Sequence, residues 1–241
     1  VNTGTVVTMY YGNATVSSAT ENPTGAWNPN YKGVWHLKQD PSGASPQMRD
    51  STSNANHGTS AGSMISGDQI SAKVGGGLDF DGGDDVINAG SAASLDNIAP
   101  FTYCAWVYPR TMGGQSDGRI VHKGNTTVRK QLQISGGTTN GLALVVDRAT
   151  TAADAEGANS SVTLNQWQYV CGTYDPTDGP RVYRNGSEIS YQSRVVGSGA
   201  TSDESASNLY IGNRSDQAKG WDGDIDEVRV LDTVLSTGWM T

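Results

Sequence analysis

Short stretches of alternating apolar and polar residues, each bounded by glycine, proline or asparagine, run through the chain. Phe101–Tyr108 carries the strongest of these patterns. Tyr103, Ala105 and Val107 fall on one face and Cys104, Trp106 and Tyr108 on the other. Both faces are apolar, which predicts a central strand, and Pro109 ends it. Further strand patterns lie at Val1–Tyr11, Val34–Leu37, Leu78–Phe80, Asp84–Ile87, Arg119–Lys123, Gln131–Ile134, Leu142–Asp147, Gln168–Tyr174, Arg181–Arg184 and Asn208–Gly212. Asp81-Gly82, Gly136–Gly141, Asp175–Gly179 and above all Asn185-Gly186 read as turns, because a tight hairpin needs positive φ and asparagine and glycine supply it. Thr150–Ser160 is small and polar and reads as a loop, and Leu235–Met240 as part of a helical turn. No segment has helical period. About a dozen short strands at roughly 8–12-residue spacing predict an all-β, antiparallel two-sheet sandwich or barrel.

The stretch Trp221–Val230, Trp-Asp-Gly-Asp-Ile-Asp-Glu-Val-Arg-Val, combines a glycine turn, carboxylates and a strand. Alternation puts Val228 and Val230 on a buried face, and counting back by two puts Asp226 there too. Glu227 and Arg229 fall on the opposite face, where they can pair. A buried carboxylate needs hydrogen bonds, a cation or a metal, so Asp226 is expected to be a structural calcium ligand or a network-bound core carboxylate. Arg49–Gly58 has no hydrophobic period but is rich in oxygen donors, among them Asp50, Asn54 and Asn56. Calcium takes six to eight oxygens, and this loop has the composition to supply those that Asp226 lacks. A polar loop held by Asx-turns explains the same composition without a metal.

Glycine accounts for 31 of the 241 residues, about 13% against roughly 7% in average proteins, as turn-rich β architecture requires. The net charge of −8 argues against a nucleic-acid partner, which calls for clustered lysine and arginine. It suits calcium and a neutral glycan. No apolar run is long enough to span a bilayer, and no signal-peptide pattern opens the sequence. The chain starts within a strand-like pattern, as expected where a leader has been removed or left out. Cys104 and Cys171 each lie in a predicted strand beside an aromatic residue, and both a disulfide and two buried thiols are compatible with that placement.

Taken in order, seven motifs resemble the bacterial laminin-G-like, concanavalin A-like jelly roll. They are Gly77–Gly82, Phe101–Val107, Arg119–Lys123, Trp167–Asp175, Val182–Gly186, Leu209–Gly212 and Gly223–Val230. The resemblance covers residues 34–241. Residues 1–33 resemble the tail of an extracellular domain that precedes such jelly rolls, so the chain is expected to be a piece of a larger secreted or surface protein, bacterial in origin, with neighbouring domains as partners. The resemblance implies a two-sheet sandwich with a structural calcium bridging an N-terminal loop and the last strand. That maps onto Asp50 and Asp226, with Asn54, Asn56 and His57 nearby; His57 would offer its backbone carbonyl, because imidazole suits other metals better.

Some members of this superfamily cleave polysaccharides. Asp224-Ile-Asp226-Glu227-Val-Arg229 is similar to the Glu-x-Asp-x-x-Glu strand of the laminarinase-like hydrolases, but Asp224 replaces the first glutamate and Arg229 the second. Retaining hydrolysis needs two carboxylates about 5 Å apart. His36, His57 and His122 lie in separate segments and offer no clear lyase base. A non-catalytic module that binds a carbohydrate or a cell-surface ligand is therefore expected, with a structural spacer without a small ligand and a polysaccharide-degrading enzyme as alternatives. The rim segments Gly113–Gly118, Asn125–Lys130, Thr150–Ser160 and Gly197–Ser207 carry no tryptophan or tyrosine. Trp106 and Trp167 read as packing residues, so the sequence marks no sugar platform.

Overall fold

The structure, a computed structural model, describes residues 25–135 and 140–240 together with Thr15 and Asn22. The strand expected at Val1–Tyr11, and most of the turn at 136–141, lie outside the described residues. The strands in chain order are β1 (Tyr31–Trp35), β2 (Thr59–Ala61), β3 (Gln69–Ser71), β4 (Gly76–Asp81), β5 (Val86–Gly90), β6 (Phe101–Pro109), β7 (Arg119–Gly124) and β8 (Arg129–Ser135). They continue with β9 (Gly141–Val146), β10 (Ala153–Gly157), β11 (Gln168–Asp175), β12 (Gly179–Arg184), β13 (Ser187–Glu188), β14 (Tyr191–Val195), β15 (Leu209–Ile211) and β16 (Asp222–Leu231).

These strands form two eight-stranded antiparallel sheets. The first has the order β13-β12-β11-β6-β16-β4-β3, with β1 also on β16; the second has the order β14-β10-β9-β8-β7-β15-β5-β2. No helix of the described residues is long and apolar enough to cross a membrane. Between the sheets, Leu78, Phe80, Val107 and Val228 of the first meet Val121, Leu132, Leu144 and Ala155 of the second in one apolar core. As the alternation predicts, β6 is central and turns Tyr103, Ala105 and Val107 inward. Trp221, at the head of β16, is buried in that core.

Some elements differ from expectation. Thr150–Ser160 contains β10, a strand between β9 and β14 rather than a rim loop. Its alanines Ala153 and Ala155 fill the core while Asp154 and Glu156 alternate outward; small residues disguise the period. β2, β3 and β14 are short additional strands. β1 begins at Tyr31, inside the segment assigned to a preceding domain, and pairs with β16. The hairpin at Asn185-Gly186 has φ values of 49° and 80°, the backbone its sequence predicts.

The last strand departs from simple alternation. Asp226 is the register partner of Trp106 and Arg229 that of Cys104, so two residues of β16 face Ala105 alone. Glu227 has a φ of 53°, and this β-bulge resets the faces. Ile225, Val228 and Val230 all point into the core. Asp226 therefore lies on the outer side of the sheet, not on the face of Val228 and Val230. Along the same edge β16 changes partners, from β4 at Asp222–Ile225 to β1 at Val228–Leu231.

Candidate functional site

The outer face of the first sheet carries an aromatic cleft. Because Val107 points inward, Trp106 and Tyr108 point outward, and the antiparallel register sets Tyr169 of β11 opposite Trp106. The Trp106 and Tyr169 ring centroids are 5.3 Å apart, and those of Tyr108 and Trp167 5.8 Å. The hairpin corner returns Asn185 to the same place, where its Oδ1 accepts the backbone N–H of Tyr169 at 2.9 Å. From the β3–β4 turn, Lys73 sets its Nζ 4.9 Å from the centre of the Trp106 ring. Together Lys73, Trp106, Trp167, Tyr169 and Asn185 line a cleft of about 340 Å³. Tyr169 is 3% exposed, and its Oη is buried on the side of Arg229. Burial raises its phenol pKa. Such a surface, apolar faces with a few fixed polar groups, suits a ring ligand that stacks and hydrogen-bonds at once.

The floor of this face is built from the Cys104–Cys171 disulfide, which joins directly opposed residues of β6 and β11. Tyr169, Tyr183 and Met240 pack with it in a second apolar cluster. A further cleft of about 420 Å³ lies beyond, with Trp27, Tyr31, Leu235 and Trp239 in its walls. Arg229 stands between the two clefts, 5.4 Å from the Trp27 ring and 6.0 Å from that of Tyr169.

Beside the aromatic cleft, carboxylates plug the gap between β4 and β1. Asp226 is fully buried. Its Oδ2 accepts the Val74 N–H at 2.7 Å, while Oδ1 has no partner. Burial pushes its pKa up to about 6. Glu227 next to it is also buried, which acts to raise its pKa, yet hydrogen bonds from His36 and Arg229 bring it below the usual value. The expected Glu227–Arg229 pair is thus present, at 2.9 Å. Farther along β16, Arg110 draws together Asp79, Asp222 and Asp224. Burial and the neighbouring Asp79 push Asp224 to about 6. Asp226 is covered by the β3–β4 turn and Asp224 is clamped by Arg110, so the two do not present an open pair to a substrate.

The structure does not bring the five expected metal ligands together. Asp50 Oδ1 accepts the N–H groups of Val34 and Thr52, and Oδ2 accepts the Thr52 hydroxyl and the Asn56 N–H, all within 2.9 Å. These donors occupy the carboxylate and make it the organiser of its own loop. His57 Nδ1 accepts the Asp50 N–H. Asn54 and Asn56 donate to backbone carbonyls of β1. Asp226 has no place in that set. Of the two carboxylates among the five residues, it is Asp226 that keeps an oxygen, Oδ1, without a hydrogen bond. Among the described residues, the grouping of three acidic ligand atoms within 4.8 Å is Asp81, Asp84 and Asp85, in the β4–β5 turn, where Ser63, Gly83 and the Asp81 N–H already occupy oxygens.

Sequence reasoning missed the cleft because its residues come from β6, β11, a hairpin corner and the β3–β4 turn. The available clue was parity: with Ala105 and Val107 in the core, Trp106 and Tyr108 must face out.

Two antiparallel sheets packed face to face around one apolar core define a β-sandwich of the jelly-roll class. The chain belongs to the concanavalin A-like lectin/glucanases superfamily, whose laminin-G-type model matches residues 81–239. No curated protein sequence matches it. Among solved structures it is similar to domain 4 of an extracellular GH43 arabinanase from Geobacillus stearothermophilus in complex with arabinotriose, with 17% identity, a TM-score of 0.61, and 88% of this chain and 97% of that one covered. It is also similar to the botulinum neurotoxin serotype G binding domain (14% identity, TM-score 0.60, 88% of this chain and 50% of that one). A third likeness is to the serotype D ligand-binding domain in complex with N-acetylneuraminic acid (11% identity, TM-score 0.58, 90% and 50%). The chain spans about half the length of each toxin domain. These likenesses show a shared fold.

Proposed function

We propose that this domain is a non-catalytic carbohydrate-binding module of a larger extracellular protein. The observation that carries the reading is the cleft in which half-buried Trp106 and Trp167 flank Tyr169 and Asn185. The sandwich neighbours include domains whose structures hold arabinotriose and N-acetylneuraminic acid, which supports a glycan as the ligand. The Cys104–Cys171 disulfide suits an oxidising compartment outside the cytosol. A hydrolase is disfavoured because Asp224 and Asp226, the nearest carboxylates of β16, are clamped and covered. Calcium belongs to the proposal at Asp226 alone, where a cation would satisfy the orphaned Oδ1.

A glycan array followed by isothermal titration of the best binder tests this. Wild-type protein is expected to bind, and Trp167→Ala to lose at least about tenfold in affinity, roughly 1.4 kcal/mol. If no glycan binds at millimolar concentration, the domain is a spacer or an adhesive surface rather than a lectin.

A further inference from the structure

The aromatic cleft is a donor-only site in an acidic protein. The chain holds 24 aspartates and glutamates against 16 lysines and arginines, yet no carboxylate among the described residues lines the cleft. Lys73 is exposed and makes no ion pair with any described residue; its Nζ rests over the Trp106 ring. The Asn185 Oδ1 is already taken by the Tyr169 N–H, which leaves its amide N–H groups to face outward. Tyr169 lies buried beneath them, with its Oη closed off from solvent on the Arg229 side. Lys73 and Asn185 thus have hydrogens to give: the ammonium three, the amide two.

A neutral sugar offers hydroxyls, which donate as readily as they accept, and would not need this bias. A carboxylate only accepts, and an ammonium binds it by a charge-assisted hydrogen bond stronger than a neutral one. Resting on an indole face also costs Lys73 some of its hydration in advance, which favours exchanging water for an anion. We infer that the cleft selects a sugar bearing a carboxylate, with the pyranose ring against Trp167 and the carboxylate between the Lys73 ammonium and the Asn185 amide. This inference rests on the cleft being the glycan site.

The test is titration of the wild-type domain with carboxylated oligosaccharides and their neutral counterparts: oligogalacturonate against its methyl ester, a hyaluronan tetrasaccharide against its carboxyl-reduced form, and sialyllactose against lactose. At least one carboxylated member is expected to bind tenfold or more tightly than its neutral counterpart, with an advantage that shrinks as salt rises. Lys73→Gln, at an exposed position and with its fold checked by circular dichroism, should reduce that advantage below twofold. Trp167→Ala should weaken both. Equal binding of charged and neutral partners, untouched by Lys73→Gln, overturns the inference and leaves the glycan-binding reading standing. Absence of binding to every member, and to the wider array, overturns both.

Discussion

Lys130 Nζ lies 2.7 Å from Glu204 Oε1, with the two side chains 2% and 0% exposed. Lys130 also donates to the Ile98 carbonyl, and Glu204 Oε1 also accepts the Asn97 N–H. The pair thus fastens the loop ahead of β6 and the loop ahead of β15 to one end of the sandwich. Burial lowers the lysine pKa, opposed by the glutamate. Removing one partner strands the other charge in the interior, at a cost of about 3–5 kcal/mol. Glu204→Ala and Lys130→Ala should each lower stability by this amount in urea unfolding. Lys130→Met combined with Glu204→Leu should lose far less, since no charge is left buried.

Asp226 should make stability depend on pH. Its carboxyl titrates at about 6 in the fold against 3.8 ordinarily, so the unfolded chain gives up its proton first. The associated stability is complete below pH ~4 and is lost as pH rises through ~6, on the order of 3 kcal/mol. In EDTA, Asp226→Asn should therefore unfold at a higher temperature than wild type at pH 8 and at nearly the same temperature at pH 4. Added calcium should raise the melting temperature of wild type and not that of the variant. A wild-type response equal to the variant's would remove calcium from Asp226.

The disulfide closes a separation of 67 residues between neighbouring strands. Cys104→Ala with Cys171→Ala should cost about 2–4 kcal/mol, chiefly by freeing the unfolded chain. Guanidinium unfolding with and without reductant measures it. The double variant should be insensitive to reductant.

Gly212 follows β15 with a φ of 82°, and a Cβ there would stand 2.1 Å from the Phe80 ring. Gly212→Ala faces both a strained backbone and an occupied site, and is expected to destabilise by about 2–4 kcal/mol, read as a lowered urea midpoint. Gly75, whose φ is also positive but whose Cβ would meet nothing within 4 Å, should tolerate asparagine with little loss.

Much of this architecture was legible in the residues. Alternation placed β6 and β11 and the inward set Tyr103, Ala105 and Val107, and the Asn185-Gly186 pair placed its hairpin. The face of Asp226 was not legible, because the bulge depends on a left-handed glutamate and carries no glycine to mark it. β10 escaped because alanine and carboxylates score as loop until a facing sheet covers Ala153 and Ala155. The oxygen-rich loop at Asp50 was recognised as a unit, but composition does not tell a carboxylate that binds an ion from one that binds four protein donors. Trp106 and Trp167 read as packing in the sequence because they sit in core-like patterns. Only the register that pairs Tyr169 with Trp106 shows that the outer aromatics gather into a cleft.

Tyr31 and Leu231, where the chain enters β1 and leaves β16, are register partners, and Lys32 reaches Asp232 at 2.7 Å to clasp the same end. Tension applied between those two points loads the antiparallel pair at its tip. The hydrogen bonds then break in succession, as in a zip, instead of sharing the load in shear. Under pulling, β1 would peel away first. β6 and β11, cross-linked to each other and one strand farther in, would keep their walls of the cleft in place until more of the sandwich had gone.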